Sequence, residues 1–183
     1  MVTVQRPPFL PVKPMRSPMK ASLVLAVGLF LVIAVLNQSL KTEAAPQGIF
    51  SFQLAATAEQ SGAILQSWGQ ESLAFAELSL WLGLLFTVAW LASLLQLTRH
   101  FTRDRPGIRE RKVARWVRVL FVIAGLCDVA ENSVLLNNLA TPTDAMSSSA
   151  AILALVKITG VMLGIAGLVV IRAARRHPLS QPG

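Results

Sequence analysis

Val119–Leu139, VLFVIAGLCDVAENSVLLNNL, is the stretch that decides the fold. It is apolar except for Asp128, Glu131, Asn132, Asn137 and Asn138. About 20 such residues are what a helix needs to cross the hydrocarbon core of a bilayer, and acids inside such a run must turn toward protein rather than lipid. Asp128, Glu131 and Asn132 stand at i, i+3 and i+4, so one helix face carries all three. Gly125 lies a turn earlier on the same stripe and is expected to let a neighbouring helix approach closely.

Moving toward the C-terminus, Ala150–Ile171 is apolar apart from Lys157 and is followed by Arg172, Arg175 and Arg176. Lys157, Gly160, Gly164 and Gly167 fall on one stripe, with Gly160 and Gly164 in a G-x-x-x-G spacing that is weak evidence alone. At 1.5 Å per residue, Glu131 lies about 12 Å and Asp128 about 16 Å in from Leu139, and Lys157 about 10 Å in from Ala150. A lone ion in hydrocarbon costs several kcal/mol, roughly, and a paired one much less. The expectation is therefore a Lys157–Glu131 or Lys157–Asp128 ion pair with one carboxylate left over, which makes a shared proton the sharper alternative to a static polar staple. Asn132 is placed to orient the acids through its amide.

Moving toward the N-terminus, Leu78–Thr98 is uncharged between Glu77 and Arg99, and Ala21–Leu40 is uncharged between Lys20 and Lys41. Trp81 and Trp90 are read as lipid-interface or packing residues, and Glu77 as a span-start acid. The expected organisation is an all-α, four-helix transmembrane bundle: a disordered basic arm 1–20, spans 21–40, 78–98, 119–139 and 150–171, an outer loop 41–77, a basic loop 99–118, an outer turn 140–149 and a basic tail 172–183. A cleaved signal peptide is the rival reading of the first span. It is disfavoured because the apolar core is long and no small-x-small site closes it.

Charge supports the same count. The chain has 183 residues, 54% hydrophobic and 14% charged, with a mean hydropathy of +0.58; these values exclude an ordinary water-soluble domain. Fifteen Lys and Arg residues fall in the arm, the 99–118 loop and the tail, whereas Lys41 alone falls on the other side. The positive-inside rule then puts both termini in the cytoplasm, and a bacterial inner membrane is the expected location. The net charge of +8 flanks apolar runs instead of forming a readout surface, which argues against nucleic acid.

In the outer loop, Phe50 and Phe52 alternate with polar neighbours. Thr57 and Gln60 have capping-box spacing, and Gly69 is read as a terminating glycine, giving an amphipathic helix over about 57–68. Its apolar face is expected to join Leu54, Ala58, Leu65 and Trp68, so that the helix lies in the outer headgroup zone or caps the bundle, with Trp68 suited to an interface in either case. Thr143 or Asp144 is expected to cap the last span. In the basic loop, Asp104, Pro106 and Gly107 mark a turn, after which a helix from Ile108 runs into the third span.

Cys127 is the sole cysteine, and there is no Cys and His cluster for zinc, so no metal or cofactor is expected. No nucleophile has a base beside it, and His100 and His177 fall on the cytoplasmic side, so an enzyme is the least favoured class and no catalytic residue is assigned. The bilayer is the required partner; another membrane protein or a second copy of the chain stay open. The favoured class is a structural or accessory membrane protein, and the alternative is a small proton-coupled transporter or sensor using Asp128 and Glu131.

The text AGLCDVAENSVLL, with its Asp-x-x-Glu-Asn motif, and the segment FSFQLAATAEQSGAILQSWG resemble uncharacterised bacterial four-helix integral membrane proteins. The resemblance covers most of the chain after the arm and implies the four-span fold but no activity. Small multidrug resistance transporters fit less well, because they are shorter and carry their essential Glu in the first span. Claudin-like proteins need a cysteine pair, and quinone-linked thiol enzymes a C-x-x-C, neither of which is present.

Overall fold

Long runs rich in Leu, Ala and Val carry no breaker inside them: within the described helices proline stands only at Pro18, in a first turn, where the missing N–H costs no helical bond. The computed structural model describes residues 17–103 and 108–173. In chain order these form α1 (Ser17–Leu36), a 3-10 turn (Asn37–Leu40), α2 (Ile49–Leu54), α3 (Ala58–Ser67), α4 (Gln70–Thr102), α5 (Ile108–Ala140) and α6 (Asp144–Ala173), with no strand among them. Four helices are long and apolar enough to cross a membrane: Ser17–Leu40 with the 3-10 turn included, Gln70–Thr102, Arg109–Ala140 and Asp144–Ala173.

The helices outrun the apolar segments that define them. Residues 17–20, expected in the arm, form the first turn of α1, and α4 begins eight residues before Leu78. The rest of the arm, the Asp104–Pro106–Gly107 turn and the tail beyond Ala173 lie outside the described residues.

Packing grades across the bundle. α5 packs most extensively, first on α6 and then on α4, whereas α1 packs mainly on α4. Gln96 donates to Ser22 Oγ at 3.3 Å across the α1–α4 contact, and Phe30 and Phe86 meet there with ring centroids 6.2 Å apart. α1 otherwise leaves Val24, Leu25, Val27, Leu31 and Val35 exposed.

The segment between α1 and α4 is a folded cap. Phe50 and Phe52 are helical, on α2, with Phe52 buried and Phe50 exposed. Gly48 starts that helix with φ +64°, and a Cβ there would overlap the Asn37 side chain, whose Oδ1 accepts from Ile49 N at 2.8 Å. Trp68 is buried within the cap: it is 3% exposed, its ring packs tilted against Phe52 with centroids 5.6 Å apart, and its Nε1 donates to the Leu40 carbonyl at 2.8 Å. Leu54 is exposed, and α3 packs through buried Ser61 and Ile64 with Leu65 partly buried beside them.

Thr57 caps α3 by accepting from Gln60 N at 3.2 Å, while the Gln60 side chain reaches back to Ala56 N rather than to Thr57. Gly69 has φ −70° and precedes the first residue of α4, so it starts that helix instead of ending α3 in a left-handed turn. Thr143 caps α6 by accepting from Met146 N. Asp144 serves α3 instead, accepting from Ala58 N at 2.7 Å, and so ties the cap to the bundle. Beneath it Ser61, Ser147 and Asn138 form a buried neutral network, with the two hydroxyls 2.8 Å apart and Asn138 Nδ2 3.1 Å from Ser147 Oγ.

Candidate functional site

α5 and α6 run antiparallel with their stripes in register. An ideal Cβ on Gly160 would lie 3.2 Å from Ala124 Cβ; one on Gly164 would overlap the Phe121 ring, and one on Gly167 would overlap Val117. The three glycines therefore let α6 sit close against α5 on the side that bears Lys157. Gly125 serves a different contact, since its Cβ would lie 2.9 Å from Leu91 of α4.

That close approach brings Lys157 to both acids. Its Nζ is 3.0 Å from Asp128 Oδ1 and 2.6 Å from Glu131 Oε2. The expected choice between two pairings is thus a bridged triad, because residues three apart on α5 point to the same side and one ammonium spans them. Asp128 is 6%, Asn132 3% and Glu131 0% exposed, which places the acids inside the bundle, while the Lys157 side chain keeps 16% of its surface exposed.

The two acids have unlike surroundings. Asp128 Oδ2 accepts from Thr87 Oγ1 at 2.6 Å and Trp90 Nε1 at 3.1 Å, and Oδ1 accepts from Lys157 Nζ and from Asn132 Nδ2 at 3.2 Å. Four donors occupy the sites a carboxylate offers. The Thr87 hydroxyl also lies 2.9 Å from the Gly83 carbonyl, but it has one proton, and the shorter contact to a charged acceptor takes it. Glu131 has only the Lys157 contact, made through Oε2, and its buried Oε1 has no hydrogen-bond partner.

Asn132 reaches one acid and not the pair: its amide donates to the Asp128 carbonyl at 2.8 Å and to the Asp128 side chain, and makes no hydrogen bond to Glu131. Thr87, Trp90 and Gly83 of α4 are the members sequence reasoning did not collect. Trp90, read as a lipid or packing residue, donates into the cluster; Gly83 leaves the space that Asn132 Oδ1 occupies, 2.6 Å from where a Cβ would stand. The available signal was the spacing Ser79, Gly83, Thr87 and Trp90, which puts small and donor-bearing residues on one face of α4.

The chemistry available is charge pairing and hydrogen bonding across α4, α5 and α6. Among the described residues no group of three His, Cys, Asp or Glu side chains is placed to hold a metal ion. Comparison with family models, with curated proteins and with solved structures finds no match to this chain.

Proposed function

We propose that the chain is a multi-pass protein of a bacterial inner membrane, with both termini cytoplasmic and a structural or accessory role, and that the charged cluster staples three of its helices. The observation that carries this reading is the complete saturation of Asp128 by donors from α4, α5 and α6. A carboxylate so held has no free acceptor site with which to bind cargo. The 15-to-1 distribution of basic residues supports the orientation.

One observation favours the alternative, a proton-coupled transporter or sensor: Glu131 is fully buried with a carboxylate oxygen that no donor reaches. Purified protein in proteoliposomes under an imposed pH gradient separates the two. The staple reading expects no proton flux in wild type and a Lys157→Met variant that melts well below it. Flux in wild type that Glu131→Gln abolishes without lowering the melting temperature establishes the transporter instead.

A further inference from the structure

On the lipid-facing side of the α5–α6 contact, an open groove of about 300 Å³ is lined by Leu120 and Ile123 from α5 and by Leu155, Val156, Thr159, Gly160 and Leu163 from α6. Followed along α5 toward its N-terminus, the same helix face presents Trp116, Lys112 and Arg109 at intervals of three or four residues. Trp116 is 61% exposed, and Lys112 and Arg109 are exposed as well. With the third span starting at Val119, Ile123 stands about 6 Å inside the hydrocarbon edge and Lys112 about 10 Å outside it, within reach of the headgroups. An apolar trough, an amphipathic indole and two cations thus follow one another across the cytoplasmic membrane edge.

Basic residues also crowd the first three turns of α5, where Arg109, Lys112 and Arg115 are exposed and Glu110 is the one acid. Cations at a helix N-terminus oppose its dipole, and an anion there relieves both the dipole and the crowding. We propose that this face binds an anionic glycerophospholipid, with an acyl chain along the groove, the glycerol region beside Trp116 and the phosphate at Lys112 and Arg109. The proposal rests on the membrane reading above and commits to a lipid because a bare anion does not fill an apolar groove continuous with its cationic head.

Native mass spectrometry of the full chain in mild detergent, titrated with phosphatidylglycerol or phosphatidylcholine bearing identical chains, tests it. Wild type is expected to retain phosphatidylglycerol preferentially. The Arg109→Gln/Lys112→Gln pair should reduce that preference by about tenfold, and Arg99→Gln/Arg103→Gln, which removes equal charge from α4, should leave it nearly intact. Thr159→Trp, which fills the groove from an exposed position, should weaken retention of phosphatidylglycerol.

Equal losses from the two arginine-containing pairs, or full retention in Thr159→Trp, overturn the site in favour of diffuse attraction. Efficient cross-linking between copies through Thr159→Cys, in a Cys127→Ser background, also overturns it, because a second copy then fills the groove. Carbonate extraction of membranes keeps the underlying reading separate. Protein released by carbonate defeats the membrane assignment itself, whereas protein that resists carbonate and shows no lipid preference defeats the lipid site alone.

Discussion

Two buried polar networks hold this molecule together, and they do it with different chemistry. Midway along the helices, Lys157 lies within ion-pair distance of Asp128 and Glu131, and Asp128 is joined to Thr87 and Trp90. At the capped end, Ser61, Asn138 and Ser147 are neutral and fully buried. A neutral network loses about one hydrogen bond when a member is removed, whereas removing one ion leaves its partners charged and unpaired. The charged network should therefore be the more brittle one, and its members should be far from interchangeable.

The strongest test removes the shared cation. Lys157→Met leaves two carboxylates facing each other in the bundle, and a broken buried pair costs about 3–5 kcal/mol. Unfolding in detergent, followed by intrinsic tryptophan fluorescence, should show a loss of that order. A loss below that of any neutral-network variant would erase the distinction between the regions.

The acids themselves sharpen the comparison. Asp128→Asn replaces one acceptor oxygen with an amide that donates, and each Asp128 oxygen already faces two donors. Either orientation sets donor against donor, so the expected loss is about 2–4 kcal/mol. Glu131→Gln removes a charge that only Lys157 contacts and leaves Lys157 paired with Asp128, so it should change stability by less than about 1 kcal/mol. Similar losses from the two conservative changes would mean that hydrogen-bond saturation does not distinguish the acids.

Much of the charged region was legible in the sequence. Acids at i, i+3 and i+4 define a face from spacing alone, and helix rise sets Lys157 at their level. The α6 glycines share the lysine face, which anticipates the close α5–α6 packing. Thr87 and Trp90 were legible only as donor-bearing residues on one face with Ser79 and Gly83; the rotation of α4 that aims this face at Asp128 was not. The capped end was harder still. Helix α2 is six residues long, too short for periodicity to declare it, and Trp68 looked like an interface residue because burial beneath a cap depends on contacts with Leu40 and Phe52, distant in sequence. Asp144 went to α3 because proximity in space, not along the chain, selected which helix start it serves.

In the neutral network, Asn138→Ala tests the largest member. Asn138 Oδ1 accepts from Thr143 N at 3.1 Å, and Nδ2 reaches Ser61 and Ser147. Its loss leaves a backbone donor and two hydroxyls to re-pair locally, at about 1–3 kcal/mol. That places it below Lys157→Met, and melting temperatures measured side by side give the ranking directly.

The smallest effect comes from a single hydroxyl in each region. Thr87→Val keeps side-chain shape and removes one of four donors to Asp128; hydrogen bonds between membrane helices average about 0.6 kcal/mol by double-mutant cycle. Ser147→Ala removes one hydroxyl from a neutral network in which Ser61 and Asn138 can still meet, 3.4 Å apart. If charge is what separates the regions, combining Thr87→Val with Asp128→Asn should lose less than the sum of the two, because the threonine donor acts through the carboxylate. Combining Ser147→Ala with Asp128→Asn should be additive within about 0.5 kcal/mol, as expected for sites sharing no partner. Coupling of similar size in both cycles would show the two networks to be one, with the intervening turns of α5 transmitting the strain between them.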